Sequence, residues 1–172
     1  MDAAFSAIRF SPDTHAEYIE PLTKLLHESY APLAAQGMRY LATHQPSEKT
    51  LERLLEGESY LGFYNQELVG TVTLYREKTL STCAYYRTPK VFSFGQFAIK
   101  TAMQGKGFGS RMMDMVESRA TALGAIELAL DTSEHATQLI AMYAKRGYKL
   151  VSTTKWEVTN YTSVIMSKTL ID

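Results

Sequence analysis

Cysteine is almost missing from this chain. Cys83 stands alone among 172 residues, which excludes an internal disulfide framework and is compatible with a reducing compartment. An excess of either charge is missing too: 18 lysines and arginines balance 18 aspartates and glutamates, so neither a basic stripe for nucleic acid nor a charged tail is indicated. No apolar run approaches the length of a membrane span, and Met1 to Arg9 lacks the basic region and apolar core of a secretory leader. No group of His, Cys, Asp and Glu has metal-ligand spacing, so no metal is expected. Internal repeats and low-complexity runs are absent. What remains has the length of one domain, able to bury about two-thirds of its unfolded surface. The expectation is a soluble cytoplasmic protein over residues 1–172, with no membrane or nucleic-acid partner.

The chain is organised around Gln104-Gly105-Lys106-Gly107-Phe108-Gly109. Upstream, Val91 to Ile99 is aromatic and β-branched on both faces, as a covered central strand should be. Downstream, Phe108, Met112, Val116, Ala120 and Leu123 recur at helical spacing. The junction is therefore strand, glycine loop, helix. Three glycines within five residues let the amides of 105 to 109 converge on a phosphate at the positive end of the helix, where Lys106 adds a charge. The Walker spacing does not occur, and Gly105-x-Gly107-x-Gly109 places its third glycine one residue early for a dinucleotide fingerprint.

Taken in order, Ala7 to Phe10 reads as a strand, closed by Ser11-Pro12-Asp13. A helix from Asp13 carries Tyr18, Leu22, Leu25 and Leu26, with a kink expected at Pro21 and an end at Ala31-Pro32. Ser47 is placed to cap a short helix with Leu51, Leu54 and Leu55 inward and Gly57 at its exit. Ser59 to Tyr64 and Leu68 to Tyr75 form a hairpin over a three-residue turn, Asn65-Gln66-Glu67, the second strand having one drier face. Residues 76–90 read as a long loop of the kind that binds ligands. Beyond the glycine-loop helix, Ile126 to Leu130 is a strand, and Asp131-Thr132-Ser133 offers N-caps for a helix with Ala136, Leu139, Ile140, Tyr143 and Ala144 on one stripe. Lys145, Arg146 and Gly147 punctuate its end, and Tyr148 to Val151 and Thr162 to Thr169 are the last strands.

The glycine loop fits Q/R-x-x-G-x-G/A and resembles the acetyl-CoA-binding motif of the GCN5-related N-acetyltransferase (GNAT) family. Met142-Tyr143-Ala144-Lys145-Arg146-Gly147-Tyr148 is similar to that family's L-Y-x-x-x-G-F/Y, and Tyr143 follows Gly109 by 34 residues, a strand and a helix later, as the family has it. The element order β-α-α-β-β-β-α-β-α-β-β extends the resemblance over essentially the whole chain. It implies a single α/β domain whose mixed, mostly antiparallel sheet of about seven strands is flanked by about four helices. It implies acetyl-CoA as co-substrate, without a metal, and transfer of its acetyl group to a primary amine of a small molecule, amino acid or peptide N-terminus.

By the same resemblance, Gln104, Gly105, Lys106, Gly107, Phe108, Gly109 and Ser110 bind the cofactor pyrophosphate, and main-chain groups of Phe97, Ala98 and Ile99 meet the pantetheine arm. Gly95 marks either a break in pairing that admits the cofactor or a locally weak strand. Tyr143 matches the tyrosine that protonates the departing thiolate; read from its stripe alone, it could equally be a core residue. Ala136 departs from an asparagine that many relatives carry. Gln96 stands where a carboxylate might serve as general base, and His135, His44, Glu28, Tyr86 or water are the alternatives; His15 and His27 suggest only packing or surface roles. The acceptor pocket falls at about residues 26–45, 76–90 and 155–162, with Tyr30, Tyr40, Tyr85, Tyr86, Trp156 and Tyr161 and few carboxylates. Homodimers are common in such families. A non-catalytic coenzyme A sensor of the same fold is the competing reading, and a nucleotide-binding domain of another family is the third.

Overall fold

A computed structural model describes residues 5–171. Met1 to Ala4, part of the stretch read for a leader, lie outside the described residues. Seven strands form one sheet in the order β1-β2-β3-β4-β5-β7-β6. They are β1 (Phe5–Arg9), β2 (Glu58–Tyr64), β3 (Glu67–Tyr75), β4 (Val91–Ile99), β5 (Glu127–Ser133), β6 (Lys149–Thr154) and β7 (Ser163–Thr169). The helices are α1 (Pro12–His15), α2 (Ile19–Ala35), α3 (Ser47–Leu55), α4 (Phe108–Ala122) and α5 (Thr137–Lys145). All pairings are antiparallel except β4 with β5, which are parallel and paired only over Val91 to Ser93 against Glu127 to Ala129. Beyond that short contact the two strands run unpaired with each other, and main-chain groups of the second half of β4 are left for other partners.

Helices cover both faces. Leu22, Leu25 and Leu26 of α2 and Leu54 of α3 pack with Leu61 and Phe63 of β2, while Phe108, Met112 and Val116 of α4 pack with Val72, Leu74, Phe92 and Phe94. Covered on both sides, β3 is buried from Val69 to Tyr75, so the single dry face expected for it does not hold. Polar ties fix α4 laterally. Glu117 accepts from the Tyr148 hydroxyl at 2.9 Å and pairs with Lys168 at 3.1 Å and Arg146 at 3.3 Å. Glu58 on β2 takes both Arg119 Nε at 2.8 Å and Nη2 at 3.0 Å.

Several local expectations are corrected. The hairpin turn has two residues, Asn65 and Gln66, both at positive φ (49° and 68°), because Glu67 already pairs with Tyr64; this is the turn whose twist suits a tight hairpin. Helix α2 passes through Pro32 to Ala35. Pro32 removes a donor only in the last turn, where the orphaned carbonyl belongs to exposed Glu28, and Pro21 sits in the first turn, where no donor is needed. The break falls earlier, at a 3₁₀ turn over Ala16–Tyr18. Ser47 is not a cap. Pro46 precedes α3 in extended conformation and its carbonyl accepts from Lys49 and Thr50, so the helix starts one residue early, and Leu55 ends up 56% exposed. Asp131, Thr132 and Ser133 belong to β5, since the ladder with β7 continues to Ser133 opposite Ser163. Helix α5 begins only after Ala136, and Ala144 is exposed. Gly147 leaves it at φ 96°, as its position demands.

Candidate active site

The local geometry of β4 opens the site. Thr71 pairs with Ala98 and Thr73 with Gly95, so Gln96 and Phe97 together face Val72 in a bulge, with Gln96 at φ 47°. Gly95 is a close approach rather than the strained residue: a Cβ there would lie 3.3 Å from Tyr75 Cε2. After the bulge, Lys100 N–H donates to Val69 O on β3, so alternation turns the main-chain groups of Ile99 and Phe97 the other way. Side chains of α2 meet them there. Ser29 Oγ donates to Ile99 O at 2.9 Å and Tyr30 OH to Phe97 O at 2.9 Å, while Gln104 Nε2 adds a second bond to Ile99 O at 3.0 Å.

The glycine loop follows. Gly105 and Gly107 adopt φ 77° and 86°, and Gly107 serves as N-cap of α4 with no side chain capping the helix. Positive φ, not space, requires glycine at these two positions, since an added Cβ would meet nothing within 4 Å. Gly109 is not at positive φ, and a Cβ there would make ordinary contact with Ile99 Cγ1 at 3.5 Å and Phe97 Cζ at 3.6 Å, so neither strain nor a clash requires glycine at this position. The uncapped first-turn amides and the helix dipole make this a donor-rich, positive end.

Between loop, α2 and α5 lies a cavity of about 420 Å³, bounded by Ser29, Tyr30, Phe97 to Ile99, Gln104, Gly105, Gly107, Gly109, Ser110 and Tyr143. It brings together eight of the ten residues expected to meet a cofactor, Phe97, Ala98, Ile99, Gln104, Gly105, Gly107, Gly109 and Ser110. The other two stand apart. Lys106 is exposed beside it, and the Phe108 ring is in the core, stacked on Phe5 at 5.2 Å, leaving only its main chain toward the loop. A neutral donor cradle at a helix N-terminus fits a pyrophosphate, and the apolar stretch of Ile99, Met103 and Leu139 fits a thin aliphatic arm.

A second cavity of about 270 Å³ adjoins on the other side of the bulge, lined by Tyr30, Tyr40, Gln96, Tyr143, Trp156 and Tyr161 together with Arg53, Glu56, Lys78 and Asp131. Tyr143 borders both cavities. It is 7% exposed, packed edge-on against Phe94 at 6.2 Å and Tyr148 at 6.0 Å, so it is both a core residue and a wall of the site. Burial, with Tyr30, Tyr40 and Asp131 adding to it, pushes its phenol well above the ordinary value, and it stays protonated across the physiological range. Tyr40 is held by Thr132 Oγ1 at 2.7 Å and by the Ser133 N–H at 3.0 Å.

None of the four candidate bases reaches either cavity. His44, His135 and Glu28 are exposed, and Tyr86 is buried with its hydroxyl donated to Asp131 at 2.6 Å. Tyr85 bonds Glu127 and stands apart from the second cavity. Of the charged residues that line the second cavity, Lys78 falls within the 76–90 stretch expected there and Asp131 reads in the sequence as a helix cap, while Arg53 and Glu56 carry no signal for this wall. The Asp131 carboxylate instead holds Tyr86 and Trp156, the latter at 3.0 Å. Of the six aromatics named for that wall, Tyr30, Tyr40, Trp156 and Tyr161 line it and Tyr85 and Tyr86 do not.

A family model described as the acetyltransferase (GNAT) family matches residues 19–148. An uncharacterized N-acetyltransferase, YvbK, of Bacillus subtilis (strain 168) is 27% identical over 107 residues, 61% of this chain and 62% of that protein. The chain thus aligns with less than two-thirds of that relative's length. Among solved structures, PaiA N-acetyltransferase from Thermoplasma acidophilum in complex with coenzyme A superposes with a TM-score of 0.74 at 17% identity, covering 96% of this chain and 99% of that one. A GNAT family acetyltransferase from Elizabethkingia anophelis with acetyl-CoA bound gives 0.68 at 18% identity, covering 97% and 99%. At such identities these two share the fold. Among the described residues no group of three or more His, Cys, Asp or Glu is placed to hold a metal, and no helix is long and apolar enough to cross a membrane.

Proposed function

The chain belongs to the acetyltransferase (GNAT) family, and we propose that it is an acetyl-CoA-dependent N-acetyltransferase acting on a primary amine. The observation that carries this reading is the junction of two cavities at Tyr143, one walled by helix-terminal amides and one by aromatic and charged side chains. In this reading, amides from Gly105 to Ser110 bind the pyrophosphate with Lys106 adding charge, and main-chain groups of Phe97 to Ile99 bond the pantetheine arm. The acceptor enters from the other side.

Acetyl-CoA supplies a thioester activated toward acyl transfer. The free amine attacks its carbonyl carbon; a C–N bond forms, the C–S bond breaks, and the electron pair leaves on sulfur. A main-chain amide at the β4 bulge stabilises the charge that develops on oxygen. Tyr143 gives its proton to the thiolate and is reprotonated from solvent, while the surplus proton on nitrogen passes to water at the mouth lined by Glu56 and Asp131. A phenol raised by burial is a reluctant acid, and a thiolate with pKa of ~8.5 leaves readily, so this proton transfer assists rather than dominates.

The test is a screen of primary amines with acetyl-CoA, reading released thiol. Transfer to at least one amine is expected. Tight binding of acetyl-CoA with no transfer to any of them would favour a sensor of the same fold.

A further inference from the structure

The acceptor cavity holds two cations, Arg53 and Lys78, that no ion pair among the described residues engages, on a wall they share with the carboxylates of Glu56 and Asp131. The nearby carboxylate of Asp131 keeps its charge but bonds neither cation: Oδ1 accepts from Tyr86 OH at 2.6 Å and Oδ2 from Trp156 Nε1 at 3.0 Å. Lys78 Nζ lies 3.9 Å from the Tyr75 ring centroid and 5.5 Å from that of Tyr86. Burial there lowers its pKa, with Asp131 and Glu56 acting to raise it. An ammonium so desolvated is stabilised by an anion placed against it.

A third group makes the same demand. Gln96, 3% exposed and lining this cavity, has an Nε2 with no hydrogen-bond partner. Its orientation is fixed by a chain of bonds. Arg53 Nη1 donates to Gln45 Oε1 at 2.7 Å, and guanidinium is a donor only, so Gln45 must turn its NH₂ toward Thr50 Oγ1 at 2.8 Å and Gln96 at 3.1 Å. Gln96 therefore accepts through Oε1, and its own NH₂ is a buried donor without an acceptor. A buried donor left unpaired costs free energy that a ligand acceptor would recover.

Resting on the acetyl-transfer reading above, we infer that the acceptor is a small amine that carries a carboxylate, an amino acid or similar aminocarboxylate, held through Arg53, Lys78 and the Gln96 amide. A carboxylate matches the planar fork of arginine and offers the acceptor that Gln96 lacks. The cavity of about 270 Å³ suits a molecule of that size. Tyr30, Tyr40, Tyr161 and Trp156 supply the apolar wall for its side chain.

The test compares amines with and without the carboxylate: tyrosine with tyramine, leucine with 3-methylbutylamine, and 4-aminobutyrate with propylamine, each rate corrected for its fraction of free amine. In any accepted pair the carboxylate member should have kcat/KM higher by about tenfold or more. Lys78→Met and Arg53→Met should bring that ratio to within about threefold of unity, through the KM of the carboxylate member. Equal rates in every pair, or a ratio that survives both substitutions, would overturn the proposal. Should no amine of either kind be acetylated, the transfer reading fails separately. The carboxylate site is then decided by calorimetry with N-acetyltyrosine and N-acetyltyramine, with and without coenzyme A. Preference for the former that Lys78→Met abolishes sustains the site, and equal affinity or binding of neither overturns it.

Discussion

The Tyr30 hydroxyl donates to the Phe97 carbonyl oxygen at 2.9 Å, joining the middle of α2 to the bulge of β4 at the point where the two cavities meet. Phe97 O faces away from β3 and has no ladder partner there, so a side chain takes that role. Replacing Tyr30 with Phe leaves the ring and removes this bond. A loss of about 1 kcal/mol is expected, read as a fall in Tm of about 2–4 °C by calorimetric scanning. An unchanged Tm would mean that water satisfies Phe97 O equally well.

Tyr143→Phe keeps the edge-on packing against Phe94 and Tyr148 and deletes only the hydroxyl. The expected result is a fall in kcat of about tenfold to a hundredfold, at the low end for a general acid because the leaving group is good, with the Kd for acetyl-CoA within about twofold. Because burial keeps the phenol protonated, the wild-type rate should show no basic limb from this residue below about pH 10. Undiminished kcat would remove Tyr143 from the acid role and leave it as packing.

The two loop glycines should respond in different ways. At Gly107 an added methyl meets nothing but must adopt φ 86°, so Gly107→Ala should cost about 1–2 kcal/mol in stability, read by denaturant titration. At Gly109 no positive φ is involved; a branched side chain would instead stand over Ile99 and Phe97 in the cofactor cavity. Gly109→Val is expected to weaken acetyl-CoA binding by tenfold or more, about 1.4 kcal/mol, with a smaller change in Tm than Gly107→Ala. The reverse pattern would put the roles of the two glycines the other way round.

Much of this architecture is legible in the residues. The apolar run of Val91 to Ile99, the 3.6-residue stripe from Phe108 and the glycines between them locate the central strand, helix and glycine loop, because each rests on local periodicity or on backbone conformation that only glycine adopts readily. Of the second cavity, the aromatic wall was legible and the charged one only in part: Tyr30, Tyr40, Trp156 and Tyr161, named from the family resemblance, line it, and Lys78 falls within the 76–90 stretch. Arg53 lies on α3 and Glu56 just past its end, Lys78 follows β3, Gln96 sits in a bulge and Asp131 is on β5; only tertiary packing gathers them. Asp131-Thr132-Ser133 misleads for a related reason. Its capping chemistry is real, but seven residues of ladder with β7 outweigh a local turn, and Ser133 Oγ caps the later turn by accepting from the His135 N–H at 3.1 Å.

Acid should loosen the joint between α4 and β2. Hydrogen bonds from Arg119 hold the Glu58 carboxyl at about 2, against an ordinary 4.5, with Tyr60 and Arg9 assisting against the cost of burial. The folded pKa is depressed, so the stabilisation is fully present above about pH 4.5 and is lost as pH falls toward 2. Glu58→Gln should lower Tm at pH 7 and flatten its decline across that acid window. A parallel decline in both proteins would assign acid sensitivity to other carboxylates.

The most direct measurement is calorimetric titration of the protein with acetyl-CoA and with desulfo-CoA, before any amine is supplied. Binding of both with Kd on the order of micromolar, about −8 kcal/mol, is expected, because the pyrophosphate and pantetheine contacts do not depend on the sulfur. No heat from either ligand at millimolar concentration would contradict acetyl-CoA-dependent transfer and leave the glycine loop as a structural turn.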